Sequence, residues 1–150
     1  INFVQTGFQY ATDQEQFGYE KPFFVEELFY YPYCDCEDRS VLYSYLVRNL
    51  LKLDVVLLDY PNHIATAVCF NENVSGDFVT VGGKKYVVCD PTYIGASIGK
   101  AMPQFKNVAA KVLKYSVCVY IEVIKNGISQ TRDMPFLVLH NYSCLYPAVE

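Results

Sequence analysis

The clearest periodic pattern in the chain predicts one long helix over residues 36–53. Its apolar side chains recur at the three- and four-residue spacing of a single helical face: Leu42, Tyr45, Leu46, Leu50 and Leu53. Acidic residues stand at the front of this segment and basic residues toward its end, which is the order that complements a helix dipole. Asp35 directly precedes the helix and is predicted to be its N-cap.

Four short segments after this helix are predicted to be strands of one antiparallel sheet. They are β-branched or partly alternating, and turn residues bound them: residues 55–60, 63–70, 78–81 and 84–89. Gly82-Gly83 between the last two segments is a strong hairpin signal. Asp90-Pro91-Thr92 then ends the last strand with turn chemistry. This pattern predicts an α+β fold in which a central helix packs on an antiparallel sheet.

The segments before the helix carry weaker patterns. Residues 1–11 suit either a short helix or a strand, and residues 14–21 are polar and predict a loop. Residues 23–33 are aromatic and lie between two proline breakers, so they are predicted to cross the core without regular structure.

The last third of the chain predicts a loop followed by more strands. Residues 94–110 contain two glycines and a proline and predict a loop with one helical turn. Residues 112–124 are β-rich, Asn126-Gly127 marks a turn, and residues 136–139 predict a last strand.

Composition narrows the class of protein. The chain has 150 residues, a net charge of −4, 52% hydrophobic residues and 19% charged residues. A disordered chain is excluded because there is ample apolar surface to offset chain entropy, and a nucleic-acid partner is disfavoured by the acidic balance. No apolar stretch is long enough to span a bilayer. We expect a single domain over residues 1–150, cut from a longer chain because it opens at Ile1 without Met.

Cys36 is the first candidate for chemistry, because it opens the predicted helix. The unpaired N–H groups and the dipole at a helix start stabilise an anion, so a thiolate there is expected to have a lowered pKa and to be reactive. The alternative is a small buried side chain, which is the common state of a free cysteine.

His63 and Asp90 are candidates for the groups that would serve such a thiolate. His63 opens a predicted strand and suits a general base, while Asp90 ends the strand that we expect to pair with it. A carboxylate there would fix the imidazole tautomer. Taken alone, His63 is better explained as a hydrogen-bonded loop histidine and Asp90 as a turn-forming aspartate.

Together these residues resemble the transglutaminase-like cysteine enzymes of the papain-like fold. The resemblance rests on Asp35-Cys36-Glu37-Asp38 at a helix start, then His63, then Asp90-Pro91-Thr92 after a strand. The approach to this segment is similar to that of bacterial transglutaminase-like cysteine proteinases, with Phe17-Gly18 and Glu26-Glu27-Leu28 in corresponding places. The likeness covers roughly residues 3–93, and residues 94–150 match no motif.

The chain also departs from the family pattern. Cys34 stands where the family has Gly, Ile64 follows His63 where Ala-Trp is common, and the chain contains no Trp. These departures affect the expected substrate pocket and oxyanion donor more than the triad.

The resemblance implies a thiol-dependent hydrolase of amide bonds, a cysteine protease or amidase. Cys36 would be the nucleophile, His63 the base and Asp90 the residue that orients His63, with an acyl-enzyme intermediate. It further implies a peptide or protein substrate, no cofactor, and an extracytoplasmic location, periplasmic or secreted. The oligomeric state is left open.

Two further roles are assigned as hypotheses near this triad. Gln5 is the preferred second oxyanion donor beside the Cys36 amide, with Gln16 and Tyr31 as alternatives. Asp35 and Glu37 are candidate calcium ligands, because two carboxylates suit a hard cation; helix capping is the competing explanation.

Three other functions stay open. The domain could be catalytically idle and serve binding or assembly, or the acyl-enzyme could pass its acyl group from a protein glutamine to an amine. The third is an interaction module that binds through its tyrosines, which burial of Tyr30, Tyr31 and Tyr33 would exclude. Cys69 and Cys89 lie in apolar strands and are predicted to be buried and unreactive.

Overall fold

The computed structural model describes residues 1–114. They form a mixed α+β fold in which one helix packs on an antiparallel sheet. Three helices are present in this part of the chain: α1 (Asn2–Thr6), α2 (Asp13–Phe17) and α3 (Cys36–Leu46). Seven strands accompany them: β1 (Gln9–Tyr10), β2 (Tyr33–Cys34), β3 (Asp54–Tyr60), β4 (His63–Cys69), β5 (Phe78–Val81), β6 (Lys84–Cys89) and β7 (Lys111–Lys114).

The main sheet has five antiparallel strands in the order β5-β6-β4-β3-β7. The predicted hairpin is confirmed, since Gly82 and Gly83 join β5 to β6 and adopt φ of 57° and 78°. A two-residue turn with two positive φ angles matches the right-handed twist of its strands. The first two short strands form a separate parallel pair. The predicted turn at Asn126-Gly127 and the strand at 136–139 lie outside the described residues.

The two faces of the sheet bury different side chains. On the first face, α3 packs against β4, and the buried residues include Val55 of β3 and Val68 of β4. On the second face, Val56, Ala65 and Ala67 are covered by the segment that carries Phe105. This alternation is the two-residue period of a strand that is buried on both sides.

Helix α3 begins where the sequence predicts, and the predicted apolar face is buried only in part. Leu42 is fully buried and Leu46 packs against the same core, whereas Leu50 is 72% exposed and Tyr45 is 45% exposed. The buried surface of α3 also carries polar residues, with Ser40 toward β4 and Arg39 toward the main chain of residues 5–8. They are tolerated because each finds a backbone acceptor: the Ser40 hydroxyl donates to the Ile64 carbonyl at 3.0 Å, and Arg39 donates to two carbonyls. After Leu46 the helix continues as one π-helical segment, Val47–Leu51.

The expected loop over residues 14–21 is wrong in its first half. Helix α2 occupies Asp13–Phe17, because Thr12 and Glu15 form a complete capping box. The Thr12 hydroxyl accepts from the Glu15 N–H at 3.3 Å, and the Glu15 carboxylate accepts from the Thr12 N–H at 2.9 Å. By contrast, the aromatic stretch 23–33 is irregular except for a short 3-10 helix at Glu27–Phe29 and the start of β2 at Tyr33, close to the expected irregular crossing.

Two glycines let the segment after β6 lie close to the sheet. A Cβ on Gly76 would stand 2.4 Å from the Gly99 Cα, and both residues have positive φ, 133° and 82°. Because no side chain fits there, the backbones approach closely, and the Gly99 N–H donates to the Val88 carbonyl at 2.7 Å. This contact anchors the segment 90–110, which ends in the predicted helical turn, the 3-10 helix Pro103–Phe105.

Candidate active site

Cys36 is the first helical residue of α3, and its neighbours explain why the helix starts there. The Asp35 carboxylate accepts hydrogen bonds from the N–H groups of Glu37 (3.2 Å) and Asp38 (3.4 Å). The Asp38 carboxylate in turn accepts from the Asp35 N–H at 3.3 Å, which completes a capping box. The prediction that Asp35 is the N-cap is therefore confirmed. This cap places the Cys36 side chain at the positive end of the helix dipole.

His63 and Asp90 form a buried pair at the ends of two adjacent strands. His63 Nε2 and Asp90 Oδ2 are 2.8 Å apart, and the side chains are 8% and 2% exposed. As predicted, their strands β4 and β6 are paired; the ladder ends at Thr66 and Cys89. The next position along β6 places Asp90 beside Ala65, on the same face as His63 and diagonal to it. The sheet register therefore brings together two residues that are 27 positions apart.

The Asp90 turn is held by hydrogen bonds on both sides of the carboxylate. Asp90 Oδ1 accepts from the N–H groups of Thr92 (2.9 Å) and Tyr93 (3.2 Å), while Oδ2 faces the imidazole. The same carboxylate thus shapes the turn and serves the histidine, so its position is fixed by its own backbone.

Gln5 supports this turn from behind. Its amide nitrogen donates to the carbonyls of Asp90 (3.1 Å), Tyr93 (2.8 Å) and Ala96 (3.1 Å). The side chain is 1% exposed and does not line the cleft that contains Cys36. Because both N–H groups of this amide are engaged by main-chain carbonyls, the geometry of Gln5 favours a bracing role over the oxyanion role that we hypothesised from sequence.

Phe105 is a site residue that the sequence analysis missed. Its ring lies parallel to the His63 imidazole, with centroids 5.0 Å apart and planes 2° apart. The other neighbour of the Phe105 ring is Tyr60, at 4.6 Å. The signal available in the sequence was a lone aromatic residue in the predicted helical turn of a chain without Trp. Phe105 covers one face of the imidazole and limits water access to the His63–Asp90 pair.

The Cys36 thiol has acidic surroundings. Its sulfur donates to Glu37 Oε2 at 3.0 Å. Burial and the charge of Glu37 raise the pKa of the Cys36 thiol, and a backbone hydrogen bond from Ile64 acts in the opposite direction. This is contrary to the lowered pKa expected from the helix start alone, because that expectation left out the burial of the thiol and the adjacent carboxylates. Within residues 1–114, the hydrogen bonds of this sulfur run to Glu37 and Ile64 and not to the imidazole.

A cleft of about 480 Å³ brings Cys36 and His63 to one opening. Cys36 reaches the start of β4 from the face that α3 covers, whereas His63 shares the opposite face with Ala65 and Phe105. The triad predicted from sequence is therefore assembled in two parts: His63 and Asp90 are in contact, and Cys36 faces the same cleft.

Several acidic side chains lie close together behind this opening. One oxygen from each of Asp13, Asp35 and Asp38 lies within 4.8 Å of the others, and the same is true of ligand atoms from Asp35, Cys36 and Glu37. Burial raises the pKa of Asp13 to about 6, and burial also raises the pKa of Asp35 and of Asp38.

These carboxylates fit a calcium site poorly. The Asp13 carboxylate accepts from the Lys21 N–H at 2.5 Å, both Asp38 oxygens accept from main-chain N–H groups, and Asp35 caps α3. Calcium needs six to eight oxygen ligands, and most of these oxygens already serve the backbone. The structure therefore favours helix capping for Asp35 over the hypothesis that it binds calcium, while the Glu37 carboxylate accepts from the Cys36 thiol.

The other cysteines described by the structure are free thiols. Cys89 is buried as predicted, and burial raises its pKa to about 11. The prediction that Cys69 is buried is wrong: it is the last residue of β4 and is half-buried. Cys34 is buried beside the Gln9 carbonyl, with no disulfide to Cys36.

The remaining sequence candidates lie away from the His63–Asp90 pair. Tyr31 stacks on Phe23 with centroids 4.7 Å apart, and Gln16 is half-buried on α2. Tyr30 is 82% exposed and Tyr33 is 38% exposed, so the burial that would exclude a tyrosine-based interaction module is not observed.

Comparison with protein families, with curated proteins and with solved structures finds no match to this chain. Among the helices of residues 1–114, none combines the length and hydropathy that a membrane crossing requires.

Proposed function

We propose that this chain is a thiol-dependent hydrolase of amide bonds with a transglutaminase-like, papain-like core. The observation that carries the proposal is the buried 2.8 Å contact between His63 and Asp90, which opens on the same cleft as a helix-start cysteine. A histidine oriented by a carboxylate next to a thiol is the arrangement that nucleophilic acyl transfer uses. The substrate is a peptide or protein, and Cys36, His63 and Asp90 have the roles of nucleophile, base and orienting residue.

The contact to Asp90 determines which nitrogen of the His63 imidazole is left to accept a proton from Cys36. A carboxylate only accepts hydrogen bonds, so His63 Nε2 carries the proton and Nδ1 keeps the lone pair. Rotation of the Cys36 side chain away from Glu37 turns its sulfur toward the cleft, where Nδ1 takes the thiol proton.

The reaction then follows in two halves. The thiolate of Cys36 attacks the amide carbon, the C–N bond breaks, and the amine leaves with the proton from His63. The resulting thioester is hydrolysed by a water molecule that His63 deprotonates, which releases the acid and regenerates the thiol. The Cys36 N–H is the first oxyanion donor, since the N–H groups of Glu37 and Asp38 are already taken by the N-cap.

One observation favours the alternative of a catalytically idle domain. The Cys36 thiol donates a hydrogen bond to the Glu37 carboxylate, and its pKa is raised by burial and by that carboxylate. In an idle domain, the thiol would stay protonated and hydrogen-bonded to Glu37 whichever ligand is bound. Transfer of the acyl group to an amine instead of water would use the same thioester and is distinguished by its product.

The test compares Cys36→Ala with Cys69→Ala on a fluorogenic peptide library. We expect Cys36→Ala to lose at least about 10³-fold of the hydrolysis rate and Cys69→Ala to keep it, because Cys69 lies at the far end of β4. Melting curves of both variants control for folding. An added primary amine identifies transamidation through a new amide product. Full hydrolysis by Cys36→Ala would overturn the proposal, and so would a wild-type protein that hydrolyses nothing and whose Cys36 resists alkylation.

A further inference from the structure

The lining of the Cys36 cleft has one sign of charge. Five carboxylic acids border it: Asp13, Glu20, Asp35, Glu37 and Asp59. Burial raises the pKa of Asp13 to about 6 and also raises that of Asp35, so the negative charge comes chiefly from the other three. No lysine or arginine is among the residues that line it within the described part of the chain. A cleft whose walls carry one sign of charge focuses the electric field and concentrates ligands of the opposite sign.

The acidic residues that reach the opening come from separate elements. Glu37 lies in the first turn of α3, Asp59 lies near the end of β3, and Glu20 lies in the segment after α2. These acidic side chains therefore reach the opening from three different segments. They are not a row of charges along the solvent-exposed face of a single helix.

Three basic side chains lie near the cleft without lining it: Lys21, Arg39 and Lys111. The Lys21 ammonium is 3.1 Å from Glu27 and lies 4.5 Å from the centre of the Tyr31 ring. Lys111 is the register partner of Asp59 on the edge strand β7, where it is exposed. The positive charge of Lys111 offsets the negative charge of Asp59 in part. Among the ion pairs within residues 1–114, none includes Glu20 or Glu37.

Tyrosine rings add a second feature that suits a cation. Tyr10 and Tyr60 line the same cleft, and Tyr10 is 48% exposed. The Arg39 guanidinium already lies 5.4 Å from the centre of the Tyr10 ring, on the interior side. An ammonium or guanidinium group is attracted to an aromatic face, and more strongly where carboxylates are close.

We propose that the cleft takes a peptide substrate that carries a lysine or arginine next to the scissile amide. This inference rests on the proposed function and names its substrate class. The carboxylates would bind the cationic side chain while the amide carbon lies against Cys36, and the tyrosine rings would contact its apolar stem.

The same charge would act on the nucleophile. The carboxylate of Glu37 disfavours the thiolate of Cys36, so a bound cation that compensates Glu37 favours thiol deprotonation by His63. A cationic substrate would therefore both bind and activate, and a neutral substrate would meet a protonated thiol. This couples recognition to reactivity without a conformational change of the fold.

The first arm of the test measures charge selection without catalysis. Two methanethiosulfonate reagents, one with a trimethylammonium group and one with a sulfonate group, are reacted with the folded chain, and the rates are read by peptide mass mapping. Cys69 serves as the internal reference because it is half-buried and outside the cleft. At each cysteine, the rate with the cationic reagent is divided by the rate with the anionic reagent, and the ratio at Cys36 is divided by the ratio at Cys69. We expect a value of at least about ten, which should decline as salt screens the charges.

Variants identify the source of the preference. Glu20→Gln combined with Asp59→Asn should lower the ratio several-fold, whereas Glu72→Gln removes an exposed carboxylate away from the cleft and should not change it. Equal rates, an anionic preference, or no modification of Cys36 by either reagent would overturn the proposal.

The second arm compares hydrolysis of matched peptides with Lys, Glu or Ala beside the scissile bond. Preferential cleavage of the lysine peptides supports both the inference and the proposed function. If Cys36 prefers the cationic reagent but no peptide is cleaved, the cleft selects cations as inferred, and the proposal that the protein is a hydrolase is overturned. Cleavage of neutral or acidic peptides in preference to lysine peptides overturns the substrate class and leaves the hydrolase intact.

Discussion

The two parts of the candidate triad are built from opposite surroundings. His63 and Asp90 lie on one face of the sheet, where every neighbour stabilises their contact: Gln5 holds the Asp90 turn, and Phe105 covers the imidazole. Cys36 approaches from the other face, at a helix start where the dipole favours a thiolate and Glu37 disfavours it. In this structure His63 and Asp90 are in contact, whereas the Cys36 thiol is hydrogen-bonded to Glu37 and not to His63.

Under the proposed function, this difference separates the positioning of a general base, His63, from the activation of a nucleophile, Cys36. The sheet register and the Asp90 turn fix the imidazole in place, so its orientation depends on folding alone. Burial raises the pKa of the Cys36 thiol most, and the carboxylates of Glu37 and Asp35 raise it further, so a charge that enters the cleft should change the state of the thiol. Changes in the first part should cost both stability and activity, whereas changes in the second should alter reactivity.

Asp90→Asn should give the largest effect on the histidine part. An amide at this position favours the wrong imidazole tautomer, so we expect hydrolysis to fall by about 10²–10⁴-fold. Stability should fall by about 1–3 kcal/mol, because the same side chain accepts from two N–H groups of the turn and from the buried imidazole. The measurements are kcat/KM and urea unfolding. Asp54→Asn, an exposed carboxylate with a 3.8 Å contact to Lys84, is the control and should leave both unchanged.

Gln5→Leu should come next. Three main-chain carbonyls lose their side-chain donor in the interior, which we expect to cost about 1–3 kcal/mol of the free energy of unfolding. Because Asp90 is one of the three, hydrolysis should fall as well. Gln9→Leu places the same change on an exposed strand and serves as the control. Normal stability of Gln5→Leu would show that these hydrogen bonds do not hold the turn.

Stability should respond to pH through the acidic residues of the cysteine part. Burial holds the pKa values of Asp13, Asp35 and Asp38 above the unfolded value near 4. Their protonated forms are therefore favoured by folding, so this contribution is complete below about pH 4 and is lost as the pH rises through the folded values, about 6 for Asp13 and also raised for the other two.

The corresponding measurement is the melting temperature between pH 4 and pH 9. We expect a decrease of several degrees, where 1 kcal/mol corresponds to about 2–8 °C in domains of this size. Asp35→Asn should reduce the slope, since asparagine still caps a helix but does not titrate. A melting temperature that rises over this range in the wild type would contradict the burial of these acids.

Phe105→Leu should have the smallest effect. It replaces a stacked ring by an aliphatic side chain over the imidazole, and a loss of about 0.5–1.5 kcal/mol corresponds to a two- to tenfold decrease in rate. Val108→Leu, an exposed position in the same segment, is the control. Comparison of kcat with the melting temperature tests the cause, because loss of the covering ring should lower kcat at an unchanged melting temperature, and a purely structural change should lower both.

The sequence predicted the framework of the fold better than its packing. Strand alternation and the Gly82-Gly83 turn were sufficient for the sheet, because both signals are local. The buried face of α3 was predicted only in part: Leu42 and Leu46 pack in the core as expected, but an apolar count cannot foresee that Arg39 and Ser40 find carbonyl partners there. Helix α2 was missed although its Thr12 capping box was present, because the segment lacks an apolar period.

At the candidate site, features that depend on neighbouring residues were again predicted correctly from the sequence, and contacts between residues far apart in the chain were not. The N-cap at Asp35 and the neighbouring strands of His63 and Asp90 followed from residue type and order. The contacts of Gln5 and Phe105 link residues far apart in the chain, which no periodicity encodes. The raised pKa of the Cys36 thiol required knowing where the Glu37 carboxylate points.

The most direct test of the central claim is to trap the acyl group. The wild type and the variants Cys36→Ala, His63→Ala and Glu37→Gln are mixed with p-nitrophenyl acetate, quenched with acid, and mapped by mass spectrometry. If Cys36 is the nucleophile served by His63, one acetyl group per chain is found on Cys36, it is absent from Cys36→Ala, and it forms more slowly in His63→Ala. Removal of the Glu37 charge should make acetylation faster at neutral pH. Acetylation of other residues alone, or equal rates with and without His63, would contradict the account.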